Sequence, residues 1–525
     1  MSERLKRYQV KISELCFYVF FVSLLFAKGI GLYDGQTLFK VFLLIALCGW
    51  AMKTLLTEYT WGELFLCGLI TLLGGIIYLN THEKGALFCL LLVCGVKDVQ
   101  VKRVFRVGLV TWILSFGSLF LVTSLHLIDS PFKVHDKLGL GRIIRWSLGY
   151  AHPNVLHISF LVLACFVVYL LQDRFRIRSF LILMLMNLYV FLYSLSSTGF
   201  LAVSILLILA LYWSFRRKFC RLEKIGICLC LPLCLLLSLA APLLLNGEAF
   251  EAVNRLVNTR LALSRWFLQN QPVRPFGVDT TGLVTSLRTM DNSYVFAWIT
   301  YGFLFLAFMT GAYMILIYRK AKCQDGVSAC LILSCLIAGI TEPFLFNTSF
   351  KNITLIFVGA MLFGGNKWYC GKKAPLFGRL DRELTIILPD FAAMGKELWE
   401  VSRSYRKTLA AAGIMAGVIT GVLCFINADM PKRYILPQTA FEETGDLGEF
   451  FYLESGEDIP MEGDRVMGYV SEDTAMVGFS GNIARVERIR NMVGGAVVTA
   501  FSVYGLGMIY LWIKEKRDEK KAAVL

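Results

Sequence analysis

Charge is scarce in this 525-residue chain: Asp, Glu, Lys and Arg make up 17% of it, against 57% in the hydrophobic set and a mean hydropathy of +0.63. A water-soluble globular chain carries about 25% charged residues, so the deficit points away from water. Proline is scarce as well, at 12 residues, while aromatics reach 14%; together these exclude a disordered or fibrous chain. No Gly-Lys-Ser/Thr phosphate loop, RNP-like segment or zinc-finger spacing occurs, so nothing supports nucleic-acid binding. His-Glu-x-x-His, Cys-x-x-Cys and Gly-x-Ser-x-Gly are absent, and the five histidines (His82, His126, His135, His152, His157) lack clustered carboxylates. Neither a metal nor another cofactor is expected.

What the chain does have is a series of apolar runs near 20 residues, the length a helix needs to cross a bilayer core of about 30 Å. They predict about fourteen spans, at 12–32, 38–56, 62–80, 84–97, 107–128, 152–172, 179–197, 199–215, 225–246, 293–317, 326–343, 348–365, 409–426 and 492–513. The run at 84–97 is short enough to tilt or re-enter. The net charge of +15 fits insertion, because loops on the cytoplasmic side collect Lys and Arg. Lys102/Arg103/Arg106, Arg174/Arg176/Arg178, Arg216-Arg217-Lys218, Arg319-Lys320 and Lys514/Lys516/Arg517 all fall on one side of a fourteen-span chain. Both termini are then cytoplasmic, and Arg4, Lys6, Arg7 and Lys11 mark an uncleaved signal-anchor. Most cysteines lie inside apolar runs and read as small packing residues, with disulfides not expected.

The composition divides the chain into a polytopic core (1–366), a cytoplasmic or interfacial linker (367–408) and a two-span hairpin (409–525) around an extracytoplasmic segment (427–490). An amphipathic helix is expected around Leu384–Trp399. Gly413, Gly417 and Gly421 form a small-residue ridge suited to close helix packing, against span 14 with its Gly494-Gly495 or against a second copy. No internal repeat is evident.

Polar groups gather at the outer ends of the spans, and two outer loops carry arginines against the charge bias. In the first, Arg142-Ile-Ile-Arg145 leads through Gly149-Tyr150 to His152-Pro153-Asn154. Pro153 suits a first helical turn and His152 a position near the cap. Two arginines beside a helix N-terminus suit an anion, since guanidinium forks bind phosphate oxygens in pairs; the alternative is that His152 caps and the arginines reach headgroups. In the second loop, Arg260 and Arg265 lie on an expected helix over 248–268, followed by Phe276-Gly277 and by Asp291-Asn292-Ser293-Tyr294. Asp291 is open between a helix N-cap and a general base toward a sugar hydroxyl. Glu342, in Thr341-Glu342-Pro343, is open between pairing with an arginine and contacting substrate, with Asn347 and Asn352 nearby.

Arg145-x-Ser-Leu-Gly-Tyr-x-His-Pro-Asn154, Ser196-Ser-Thr-Gly199, Arg260-Leu261, Phe276-Gly277, Asp291-Asn-Ser-Tyr294 and Tyr301-Gly302, in this order over about residues 1–366, resemble the O-antigen ligase and polysaccharide polymerase superfamily. The match is closest to oligosaccharide repeat-unit polymerases of surface polysaccharide loci. The resemblance implies an all-α integral membrane fold with about twelve spans of the glycosyltransferase C type. It implies a metal-independent, inverting glycosyltransferase on the outer face of a bacterial plasma membrane, polymerising undecaprenyl-pyrophosphate-linked repeat units, with a flippase and a chain-length regulator in the same pathway. By position, Arg145 and Arg260, supported by Arg142 and Arg265, would bind the donor pyrophosphate. Asp291 or His152 would carry the catalysis, and Asn154, Asn292, Tyr294 and Glu342 would position sugars. Two departures stand out: Ser197 where many relatives have Arg, and Asp291-Asn292 where ligases have His. Glycan ligation to another acceptor and flipping of a lipid-linked oligosaccharide are the alternative functions.

Overall fold

The computed structural model describes residues 5–124, 127–128, 132–136, 142–257, 259–282, 289–364, 373–374, 377–389, 391–427, 433–437, 466–471, 474–478 and 481–522. Helix dominates, and among the described residues eleven helices are long and apolar enough to cross a membrane. This is a multi-pass, mainly α-helical membrane protein. Two compact units divide it, the larger formed by 11–132 and 146–382, the smaller by 1–10, 133–145 and 383–525.

In the larger unit, α1 (Ile12–Gly29), α2 (Thr37–Leu56), α3 (Trp61–Thr81), α4 (Gly85–Gly95) and α5 (Val101–Thr123) come first. Then follow α6 (Pro153–Leu171), α7 (Ile177–Ser194), α8 (Ser197–Arg216) and α9 (Arg221–Leu244). Two shorter helices, α10 (Gly247–Leu256) and α11 (Arg260–Asn270), lead to α12 (Ser293–Lys322), α13 (Gly326–Ala338) and α14 (Leu355–Phe363). The most enclosed spans are α1, α6 and α12, with 61%, 61% and 56% of their apolar windows buried. Phe17, Phe20, Phe105, Trp112, Phe166 and Phe305 fill the space between helices. Large side chains such as Leu44, Phe65, Leu79 and Leu185 are exposed, as lipid-facing positions are.

Three expected spans are corrected. The runs at 84–97, 326–343 and 348–365 form regular helix only over α4, α13 and α14, of 11, 13 and 9 residues. Every residue of α4 except Leu87 is buried. A helix enclosed by protein meets no lipid, so its backbone is free to break where neighbours satisfy the released groups. Pro343 explains one break, because the residue before a proline avoids the helical region. The irregular stretch 339–354 is instead held by side chains. Asn352 Nδ2 donates to the Leu345 carbonyl at 3.0 Å and its Oδ1 accepts from the Thr354 N–H at 3.2 Å, while Ser293 Oγ donates to the Glu342 carbonyl at 2.6 Å.

The smaller unit pairs α16 (Arg406–Ile426) with α17 (Gly481–Ala522). A Cβ at Gly413, Gly417 or Gly421 would lie 2.8, 2.6 or 2.9 Å from the carbonyl oxygens of Ala500, Ala496 and Met492, so the glycine ridge packs within the hairpin. The helix expected over 384–399 is corrected too: β4 (Glu383–Pro389) is a strand and α15 (Phe391–Val401) the helix after it. The β-branched Thr385-Ile386-Ile387 and then Pro389 favour extended backbone over helix. Strand β1 (Leu5–Lys11) pairs with β4, and β2 (Phe132–Asp136) with β3 (Arg142–Trp146). Within 427–490, β5 (Arg433–Pro437), β6 (Val466–Ser471) and β7 (Thr474–Gly478) form an antiparallel sheet ordered β5-β7-β6. These strands qualify the all-α expectation without displacing it.

Candidate functional site

A polar cluster converges on Glu342, in the broken stretch after α13. Its Oε1 accepts hydrogen bonds from Thr198 Oγ1 at 2.7 Å and Asn154 Nδ2 at 2.9 Å, and from Arg260 Nη2 at 3.3 Å. Each donor is delivered by a helix start. Asn154 sits in the first turn of α6, capped by His152, whose Nδ1 accepts from the Asn154 N–H at 3.0 Å, with Pro153 at the first helical position. Thr198 opens α8, capped by Ser196 Oγ. Arg260 opens α11.

The single helix expected over 248–268 is broken immediately before Arg260. Thr259 takes φ +65°, and Asn254 holds the turn: its Oδ1 accepts from the Ala262 N–H at 3.0 Å and its carbonyl from the Thr259 N–H at 2.8 Å. The break turns Arg260 inward. Its Nε donates to the Thr341 carbonyl at 2.6 Å, and its Nη2 lies 3.5 Å from Asp291 Oδ2 as well as 3.3 Å from Glu342. One guanidinium therefore faces two carboxylates. The Arg260 and Glu342 side chains are only 7% and 8% exposed, whereas Asp291 is 32% exposed. Asp291 opens onto a narrow, shallow cleft lined by Arg260, Ser264, Phe267, Met290 and Asn292.

Asp291 is not the N-cap of α12; Asn292 is. Its Oδ1 accepts from the N–H groups of Tyr294 and Val295 at 2.9 and 3.2 Å, and its Nδ2 donates to Ser238 Oγ at 2.8 Å. The cap leaves the Asp291 carboxylate to Arg260. Two π-bulges frame this corner, at Leu236–Ala240 beneath Asn292 and at Ala297–Tyr301 in α12. The second bulge ends at Gly302 (φ +84°), facing Gly277 (φ +80°). A Cβ on Gly277 would lie 1.9 Å from the Thr300 carbonyl oxygen, and one on Gly302 would lie 2.4 Å from the Gly277 nitrogen. Both Phe276-Gly277 and Tyr301-Gly302 thus serve one backbone-to-backbone docking.

The other expected site residues are placed as follows. Arg265 spans the helix pair: its Nε donates to the Pro242 carbonyl at 2.5 Å, its Nη2 donates to the Leu245 carbonyl, and the guanidinium lies 3.7 Å over the Phe250 ring. Tyr294 is buried and donates to the Leu336 carbonyl at 2.7 Å. Arg145 is a buried residue of β3 in the smaller unit. Arg142 lies on the same strand, and its side chain is outside the described residues. His157 is fully enclosed between Ser194 Oγ at 2.9 Å and Asn187 Oδ1 at 2.7 Å, a satisfied interior histidine.

Thr198 and Lys351 were not expected at the site. Thr198 was visible only as part of a polar break between spans. Lys351 is buried beside the cluster, its Nζ donating to the Val155 carbonyl at 3.1 Å and lying 4.9 Å from the Tyr150 ring centre. Its signal was that it is the lone lysine of an otherwise apolar and neutral run from Pro343 to Gly364. Comparison of the chain with protein-family models, with curated proteins and with solved structures finds no match.

Proposed function

We propose that this chain is a membrane glycosyltransferase that polymerises undecaprenyl-pyrophosphate-linked oligosaccharide repeat units on the outer face of a bacterial plasma membrane. The observation that carries the reading is Arg260 beside a partly open Asp291 at a cleft on an apolar helical bundle. Such a pairing suits a substrate with an anionic diphosphate, a sugar end and a lipid tail. Both termini are assigned to the cytoplasm in this reading, with the short helices α4, α13 and α14 each carrying the chain across, which puts the loops of Arg260 and Asp291 outside.

In the reaction, the acceptor hydroxyl oxygen forms a bond to the anomeric carbon of the donor sugar. The bond from that carbon to the diphosphate oxygen breaks, its electron pair leaving on the diphosphate. The hydroxyl proton passes to the Asp291 carboxylate. Arg260 stabilises the charge that grows on the leaving group. Attack from the face opposite the leaving group inverts the anomeric centre. Asn154 and Thr198 hold Glu342, and Glu342 orients Arg260. Arg265 braces the helices that carry Arg260, and His152 caps the helix that carries Asn154. No step is assigned to a metal.

A second reading draws on the broken stretch 339–354 with its buried Glu342 and Lys351, since interrupted helices with buried charges also mark transport paths. The length distribution of lipid-linked glycan in cells with and without this chain separates the readings. Single repeat units accumulating on the outer leaflet in its absence support the polymerase. Long lipid-linked polymer that never reaches its final acceptor indicates a ligase, and repeat units trapped inside indicate a flippase.

A further inference from the structure

We infer that Arg260 and Asp291 form a latch in which the carboxylate occupies the guanidinium until a diphosphate displaces it, so that the base is released only when the donor is bound. The inference rests on the reading of Arg260 as the diphosphate site. Three observations carry it. Arg260 is held by two further anchors, the Thr341 carbonyl on Nε at 2.6 Å and Glu342 on Nη2 at 3.3 Å, so it keeps its place without Asp291. Asp291 is the looser partner, at 3.5 Å and 32% exposed where Glu342 is 8% exposed. Asp291 has no capping duty, because Asn292 performs it.

A dianionic group arriving at Arg260 from the cleft meets Asp291 first. Two anions competing for one guanidinium repel each other, and the exposed carboxylate is the one free to rotate toward the cleft. The displaced Asp291 then stands beside the diphosphate-bound sugar as an unpaired carboxylate, able to accept the proton of the attacking hydroxyl. Donor occupancy thereby sets whether the carboxylate is free to face the hydroxyl, and an acceptor entering first finds the base masked by Arg260.

The test measures binding of inorganic pyrophosphate to the purified full chain in detergent, by calorimetry, for the wild type, Asp291→Asn and Arg260→Ala. The latch predicts about tenfold tighter binding to Asp291→Asn than to wild type, together with loss of glycan transfer, and loss of binding in Arg260→Ala. The same experiment on Glu342→Gln reports whether any lost carboxylate has this effect. A gain in Glu342→Gln equal to that in Asp291→Asn overturns the latch in favour of general charge repulsion. Equal affinity for wild type and Asp291→Asn, with binding lost in Arg260→Ala, overturns the latch and leaves the diphosphate site standing. Binding untouched by Arg260→Ala overturns both.

Discussion

Gly277 and Gly302 are single residues on which the corner around the cleft depends. Both adopt left-handed backbone and each stands where the other's backbone passes, so any side chain meets both torsional strain and a collision. Gly277→Ala is expected to lower stability by about 2 kcal/mol or more, read as a drop in the detergent melting temperature, with activity falling in step. Glu342 is the other such residue. Removing it leaves the Arg260 guanidinium buried without its enclosed carboxylate partner, a loss typically near 3–5 kcal/mol, so Glu342→Ala should unfold well before wild type. Glu342→Gln keeps an acceptor for Thr198 and Asn154 and should fall between the two. If Glu342→Ala melts like wild type, the cluster is not holding α6, α8 and α11 together.

Helix starts carry much of the site, and their caps set two further expectations. Asn292→Ala removes both the cap of α12 and the link to Ser238, and should cost about 1 kcal/mol from the cap alone, measured by chemical or thermal unfolding. Asp325 caps α13 by accepting from the Ser328 N–H at 3.2 Å, and it pairs with Lys320 at 2.6 Å. Burial alone would push its carboxyl up; the Lys320 ammonium and the Ser328 bonds outweigh this and hold it below the usual aspartate range. A depressed carboxyl stabilises fully above its unfolded value of about 3.9, and that stability drains as pH falls through the lower folded value. Asp325→Asn should therefore melt below wild type at neutral pH, with the gap closing in strong acid.

At this scale the sequence was readable where hydrophobic length decided the outcome and opaque where side chains did. The nine long spans of the larger unit followed from apolar runs, and His152-Pro153 marked a real helix start. Hydropathy left only 344–347 for a turn and could not register the wider break at 339–354, which Asn352, Ser293 and Pro343 explain. Nor could spacing separate Asp291 from Asn292 as the cap, since both residue types cap equally well. Arg260 was singled out as an arginine out of place, but its meeting with Thr198 and Glu342 joins positions 62 and 82 residues away, which no local pattern records.

At the scale of the whole molecule, the smaller unit has its own internal packing: the glycine ridge of α16 sits against α17, Lys516 pairs with Glu397 at 2.5 Å, and Arg490 pairs with Glu487 and donates to the Ile144 carbonyl at 2.7 Å. Gly417→Leu should part the hairpin, scored by loss of a Cys424–Gly495→Cys cross-link that the present contact of these two positions permits. Ending the chain after residue 372 should leave glycan transfer active while altering the length distribution of the product; an unchanged distribution would discard a length-setting role for the hairpin.

The meeting of Asn154, Thr198, Arg260 and Glu342 also orders events in time. The ribosome delivers the first three long before the fourth, and the helices that bear Asn154 and Thr198 are translated well before Glu342. Until then Arg260 has no buried carboxylate to turn toward, and its loop stays in water, where a guanidinium is at ease. Translation of the stretch after α13 is thus the step that draws α11 down onto the bundle. A nascent or truncated chain lacking that stretch holds an unassembled corner.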